Sequence, residues 1–201
     1  MAGFTARTKE QLASEALILL GEGTITDFAD GSAAGTALTA VYQRNYEEFL
    51  TCHEWSFALK DAALVVDSGT TPEDGRWSTV FDLPSDLLLL KYVYPNSDFD
   101  IYGTKLYTAQ SALDIIYIYA AAVSTLPAYA QSALVYKLAA ELAIPVTEDV
   151  SKAEFYAVAA KEKLSEARHL DARQRPNIAI KHDAGLITSR YGGGFIGPDW
   201  P

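Results

Sequence analysis

The chain has 201 residues, of which 49% are hydrophobic and 21% are charged, a balance typical of a globular protein with a real core. Its net charge of −10 argues against binding of nucleic-acid phosphates as the main task, because that contact needs a basic face. One cysteine, Cys52, excludes a disulfide framework within the chain. No stretch reaches the roughly 18 apolar residues of a membrane span, and the N-terminus lacks the apolar core of a signal peptide. The composition therefore predicts a soluble protein kept in the cytoplasm, without contact with a membrane.

The first quarter of the chain predicts two helices joined by a long loop. A capping-box pattern at Thr8 and a glycine stop after Leu20 delimit a helix over 8–20. Residues 21–35 are rich in glycine, threonine and aspartate and indicate a loop. A second helix is expected over 33–52. Its apolar side carries Leu38, Val41, Tyr42, Asn45 and Phe49.

Residues 55–119 change from helical periodicity to the alternation of a sheet. This change predicts a small antiparallel β-sheet inserted between the second and third helices. The first strand is expected over 55–67, and one of its faces carries Phe57, Leu59, Ala63 and Val65. Further strands are expected at 77–84, 87–95 and 115–119, together with a hairpin at 99–108 that turns at Gly103.

Two more helices are predicted after the sheet. The third helix is expected over 128–144, ended by Pro145, with an apolar stripe of Ala133, Leu134, Leu138 and Leu142. The fourth helix is expected over 150–171 after a cap at Asp149 or Ser151, with a stripe of Phe155, Ala159, Leu164 and Ala167. The predicted fold is thus α+β, an antiparallel bundle of about four helices with one inserted sheet, in a single domain over 1–175.

Residues 176–201 are predicted to form an extended C-terminal arm. They contain three consecutive glycines and no sustained periodicity, and too little apolar surface to fold alone. The charge also reverses, since residues 172–201 hold four basic and two acidic side chains in a chain that is acidic overall. We expect the arm to order on meeting a partner; the alternative is a disordered tail with no partner. Its expected anchors are Ile187, Arg190, Tyr191, Phe195 and Trp200.

The sequence lacks the patterns of catalytic and metal sites. Cys52, His53 and Glu54 offer three metal-binding side chains, but consecutive residues point in different directions and no second group follows at ligand spacing. No nucleophile elbow, P-loop or dinucleotide-binding glycine motif occurs. We therefore expect a protein that is not an enzyme, with no catalytic residues, no cofactor and no metal.

The order and spacing of four segments resemble a known family. They are ALILLGEGTITDF at 16–28, FLTCHEWSFAL at 49–59, FDLPSDLLLLKYVYP at 81–95 and the helix–proline–helix stretch at 133–173. Together they resemble the tail tubular protein A type of head-to-tail adaptor of short-tailed, podovirus-like bacteriophages. The likeness spans about residues 8–175 and leaves out the arm. Each segment alone is a packing or turn feature, so their succession along the chain carries the resemblance.

The resemblance implies a structural virion protein assembled in the bacterial host cytoplasm and located in the neck of the virion. It implies a dodecameric ring between the portal protein and the tail nozzle protein, with tail fibres near that junction. DNA would pass through the central channel without sequence-specific binding. No catalytic residues are implied, because the family is not enzymatic.

Two alternatives remain open at this point. One is another phage neck component, such as a stopper or the head completion protein of a long-tailed phage, but a sheet this large favours the short-tailed type. The other, from a different class, is a small-molecule-binding domain. That class needs a pocket with converging polar groups, and the sequence marks none.

Overall fold

The computed structural model describes residues 6–72 and 75–174, which form an α+β fold of four helices and antiparallel strands. The helices are α1 Lys9–Leu20, α2 Ala33–Thr51, α3 Ala128–Thr147 and α4 Val150–Ala172. The strands are β1 Leu59–Ala63, β2 Val65–Val66, β3 Thr79–Asp82, β4 Leu87–Tyr94, β5 Phe99–Tyr102, β6 Lys105–Thr108 and β7 Asp114–Tyr119. A short 3-10 helix, Val123–Thr125, precedes α3.

The helix ends follow from capping residues that the sequence displays. The capping box of α1 is confirmed, because the Thr8 side chain accepts from the Gln11 backbone and the Gln11 side chain accepts from the Thr8 backbone. Gly21 ends α1 in the left-handed conformation with φ 88°. Ser32 caps α2 and Asp149 caps α4, each by accepting from backbone N–H groups.

The strands form two sheets, where the sequence predicted one. The first sheet has the order β1-β7-β4 and the second has the order β2-β3-β6-β5, and all pairs are antiparallel. The predicted hairpin is confirmed as β5 and β6, with Gly103 at φ 60° in its turn. Alternation along β7 explains the layering, because Ile118 packs on the helices and Ile115 packs towards the second sheet. The first sheet therefore lies between the helices and the second sheet.

The main core is helical and is centred on α3. Nine residues of α3 are buried, including the predicted stripe of Ala133, Leu134, Leu138 and Leu142. α1 and α2 pack on this helix. Trp55 is buried in the same core, and its indole N–H donates to the Phe49 carbonyl at 2.8 Å. A second, smaller core between the sheets contains Phe81, Leu106, Ile115 and Tyr117.

The first predicted strand is wrong in extent and in its buried face. β1 begins at Leu59, and the strand pairing breaks at Leu64, whose N–H donates to the Leu113 carbonyl at 2.8 Å. Ala63 is exposed and Val65 is 73% exposed, although both were placed on the buried face. The break explains the error, because β1 belongs to one sheet and β2 to the other, so one alternation cannot describe both.

Pro145 does not end α3, contrary to the sequence prediction. The helix continues to Thr147, and the N–H of Glu148 still donates to the Ile144 carbonyl at 3.0 Å. Proline removes one helical hydrogen bond, but here it lies in the last turn and is exposed to solvent. Water can satisfy the carbonyl that loses its partner, so the helix tolerates the residue.

Candidate assembly surfaces

Helix α4 contributes little of its own surface to the core. Of its 23 residues, only Ala167 and Asp171 are buried. Ala153, Tyr156 and Leu164 are partly buried and pack on the main core, which fixes the inner side of the helix. The opposite side faces solvent along the whole helix.

The outer side of α4 carries three exposed apolar side chains, which we call the α4 surface. Val150, Phe155 and Val158 are 59%, 66% and 58% exposed. At 100° per residue they lie within one stripe, and Glu154, Lys161 and Glu162 fall among them. The sequence prediction that Phe155 belongs to the buried stripe is therefore wrong. The buried stripe runs through residues 153, 156, 160, 164, 167 and 171, on the other side of the helix.

The N-terminal half of α4 is held rigidly against α1. The ammonium of Lys152 donates to the Leu20 carbonyl at 2.9 Å, and the Tyr156 hydroxyl donates to the Leu19 carbonyl. Both bonds satisfy carbonyls at the C-terminal end of α1, which have no partner within that helix. The α4 surface is thus presented on a fixed support.

The C-terminal end of α4 is fastened by a buried carboxylate. Asp171 is fully buried and accepts hydrogen bonds from the Ser56 N–H, the Ser56 hydroxyl at 2.7 Å and the Tyr129 hydroxyl at 2.8 Å. His53 Nε2 lies 3.8 Å from the same carboxylate. We call Asp171, Ser56, Tyr129 and His53 the Asp171 junction. It ties α4 to the start of α3 and to the segment between α2 and β1.

The hydrogen bonds of the Asp171 junction are arranged to hold α4 in place and differ from those of a catalytic site. Burial, together with the hydrogen bond to Asp171, raises the pKa of the Tyr129 hydroxyl, so this group stays a donor at neutral pH. The Ser56 hydroxyl donates to the carboxylate, whereas in a hydrolytic triad the serine donates to histidine. Buried polar groups need such hydrogen bonds, and here they fix the C-terminal end of α4.

A second exposed apolar area lies on the far sheet, at its β5 edge. Phe99 and Ile101 on one face of β5 are 37% and 41% exposed, and Tyr102 on its other face is 56% exposed; we call the three together the sheet-edge surface. The carboxylate of Asp100 accepts from the Arg76 guanidinium at 3.1 Å and from the Trp77 indole at 3.0 Å. These contacts fix the strand that carries the surface. β2, the opposite edge of the same sheet, exposes Val65 and Val66.

Two grooves accompany the helices. The larger, of about 680 Å³, runs along α1 and the loop after it, between Arg7 and Ile25. The smaller, of about 260 Å³, lies between α3 and α4 beside the Asp171 junction, and its lining includes Tyr129, Lys163 and Glu166. Neither groove brings together titratable groups with the order of a catalytic site.

The structure describes some of the residues singled out from the sequence and leaves others outside the described ranges. The five anchors expected in the arm, Ile187, Arg190, Tyr191, Phe195 and Trp200, lie outside the described residues. Cys52 is exposed, whereas His53 Nε2 lies 3.8 Å from the Asp171 carboxylate. Within residues 6–72 and 75–174, no group of three or more His, Cys, Asp or Glu side chains is placed to hold a metal ion. In the same part of the chain, no helix is long and apolar enough to cross a membrane.

Comparison with known proteins leaves the family open: no protein-family model and no curated protein matches this chain.

Sequence reasoning missed the two features that define α4. The α4 surface had a detectable signal, because Val150, Phe155 and Val158 are out of phase with the alanines that form the inner stripe. The Asp171 junction had none. Its members are separated by up to 118 positions, and an aspartate near the end of a helix normally indicates a solvated position.

Proposed function

We propose that this protein is a structural ring subunit, a head-to-tail adaptor of the tail tubular protein A type, which joins the portal to the tail nozzle of a short-tailed bacteriophage. The proposal combines the succession of segments along the chain with the arrangement of its surfaces. It includes a ring of about twelve copies, as the resemblance implies, with a central channel for DNA.

One observation carries the proposal: a single subunit exposes two different apolar surfaces on two different layers. The α4 surface lies on the solvent-facing side of the helical layer, and the sheet-edge surface lies on the second sheet. Exposed apolar patches that are held rigidly are typical of protein–protein contacts. Two dissimilar contact surfaces on one subunit permit the heterologous, head-to-tail interface from which closed rings are built.

The charge of the chain supports a channel that does not retain DNA. Each copy carries a net charge of −10. Twelve copies therefore carry about −120 before counterions bind, and such a field opposes adhesion of phosphates. A sleeve that DNA must traverse in both directions benefits from this lack of adhesion.

The arm supplies the second part of the proposal. Residues 176–201 attach the adaptor to the portal or to a neighbouring adaptor, through Ile187, Arg190, Tyr191, Phe195 and Trp200. The C-terminal end of α4, from which the arm continues, is held in place by hydrogen bonds. The Gln174 side chain donates to the Tyr129 hydroxyl at 3.2 Å, and that hydroxyl donates to the buried Asp171. The arm therefore begins from a fixed end of α4.

Native mass measurement of the full chain, alone and mixed with the portal protein of the same phage, tests the proposed function. Portal must be present, because adaptors can stay monomeric without it. We expect a complex with about twelve adaptor copies. A chain that stays unassociated with portal, or that turns over a substrate by itself, would contradict the proposal.

The same measurement separates the alternatives. A stopper or a long-tailed phage completion protein should bind other neck components and leave this portal unoccupied. A small-molecule-binding domain should remain a monomer with every neck protein. The two grooves described above are the places at which such a ligand would be sought.

A further inference from the structure

We propose that the α4 surface of each copy is the docking site for the C-terminal segment, residues 186–200, of the neighbouring copy. This inference rests on the proposed ring, because it requires a second copy beside the first. It assigns a specific occupant to a surface that the fold leaves uncovered and a specific place to the arm.

The receiving surface combines apolar area with carboxylates. Phe155 and Val158 stand one turn apart and are each more than half exposed. Glu154, Lys161 and Glu162, all exposed, lie in the same stripe of the helix and give it a net charge of −1. An occupant that brings apolar side chains and a cation beside Glu154 complements this surface.

The C-terminal segment has this composition. Within residues 186–200, Arg190 lies among Ile187, Tyr191 and Phe195, and Asp199 is the other charged residue. The pairing places the Arg190 guanidinium beside Glu154, and aromatic side chains on Phe155 and Val158. Aromatic residues and arginine are the types that most often anchor protein–protein contacts.

The sheet-edge surface is a poorer match for this occupant. Its three apolar side chains are less exposed on average than those of the α4 surface. The carboxylate beside it, Asp100, already accepts from Arg76, Trp77 and Tyr102. An arginine would find one exposed carboxylate beside Phe99, that of Asp98, whereas the α4 surface offers Glu154 and Glu162.

The length of the segment allows it to bridge two copies. It leaves α4 at the end opposite to Phe155, and 18 helical residues separate Phe155 from Arg173, a rise of about 27 Å. Ile187 lies 13 positions after Gln174, a span of at most about 45 Å when the chain is extended. That reach exceeds the length of the helix, so the segment is long enough to reach the α4 surface of its own copy or of an adjacent one. A segment given by one copy and received by the next is also a heterologous contact, which propagates around a ring.

Photo-crosslinking in the assembled ring tests this placement. A photoreactive amino acid replaces Phe155 in full-length chains, and equal amounts of ¹⁴N- and ¹⁵N-labelled chains are assembled on portal. A matched control carries the same group at Ile101 of the sheet-edge surface. Mass spectrometry of the crosslinked peptides identifies the partner segment and shows whether the two peptides came from different chains.

We expect residues 186–200 to crosslink to position 155 in mixed light–heavy pairs, and not to position 101. Pairs that are only light–light and heavy–heavy would place the segment on its own chain and overturn the inference. Crosslinks from position 155 to portal, or none to this segment, would also overturn it. Native mass of the same sample reports the ring separately, so a failed docking site and a failed adaptor function give different results.

A charge exchange tests the chemistry of the contact. Arg190→Glu should weaken association between copies by about two- to fivefold, the effect of one exposed ion pair. Glu154→Lys in the same chain should restore it. Asp61→Lys, at an exposed carboxylate on β1, is the matched control and should restore nothing. Equal behaviour of the two double variants would refute the proposed pairing.

Discussion

Helices α3 and α4 are similar in length and rich in alanine, yet they serve opposite purposes. α3 has 20 residues, of which nine are buried, and it packs against α1, α2 and α4. α4 has 23 residues, of which two are buried. α4 packs on α3 with one side and is fastened at both ends by polar contacts. α3 therefore stabilises the folded subunit, whereas the exposed side of α4 is free to contact another protein.

The largest expected effect contrasts one side chain from each helix. Leu138→Ala in α3 removes a fully buried side chain and should lower the free energy of unfolding by about 2–5 kcal/mol. Val158→Ala on α4 removes an exposed one and should change it by less than about 0.5 kcal/mol. Urea unfolding measures both. Equal losses would mean that α4 is part of the core.

The next effect concerns the junction at the end of α4. Asp171→Ala leaves the Ser56 N–H and the Tyr129 hydroxyl without their acceptor, which should cost about 1–3 kcal/mol of stability. Glu166→Ala, which removes an exposed partner of Lys163 on the same helix, serves as the control and should cost much less. Thermal unfolding compares the two variants. A neutral Asp171→Ala would show that the junction does not hold α4.

A smaller effect on stability, with a large effect on assembly, is expected at the α4 surface. Phe155→Ser should leave the unfolding free energy within about 0.5 kcal/mol, because the ring is mostly exposed. The same variant should reduce ring formation on portal more than tenfold, since a central aromatic anchor is lost. Native mass and urea unfolding give the two readings. Full assembly of the variant would show that the α4 surface is not part of the interface.

The smallest effect is a pH dependence in the far sheet. The Lys105 ammonium and the Thr70 hydroxyl donate to Asp67 and hold the pKa of its carboxyl well below the usual value of about 3.9. Because the folded pKa is lowered, this stabilisation is fully present above the unfolded pKa and is lost as pH falls through the folded pKa. NMR titration should show the low pKa, and Lys105→Met should raise it. The Asp67→Asn variant should be less stable than the parent at neutral pH, and the difference should shrink only as the pH falls from about 4 towards the lowered folded pKa.

Much of the fold could be predicted because its signals are local. Capping at Thr8, Ser32 and Asp149 depends on residues within three positions, and so does the turn at Gly103. The features that failed depend on distant partners. Phe155 was placed inside because an aromatic residue in an alanine-rich helix normally fills a core, and only α3 shows which side of α4 is inward.

The candidate sites divide in the same way. Composition and order along the chain were enough to suggest a protein without a reactive centre and to single out Ile187, Arg190, Tyr191, Phe195 and Trp200 as anchors of the arm. Those anchors lie outside the described residues, so they remain a prediction. The α4 surface, which we propose receives them, required the structure, because exposure depends on what packs against a helix.

Local sequence was enough for the helix starts, for the end of α1 at Gly21, for the strand-rich middle with two helices on each side, and for the acidic charge. Short-range hydrogen bonding and composition set these properties. Tertiary structure alone decided that the strands divide into two sheets, that a carboxylate 115 positions away holds Ser56, and that an apolar side of α4 stays uncovered. The physical reason is that burial and pairing join residues remote in the chain, and periodicity in one segment cannot specify its partner.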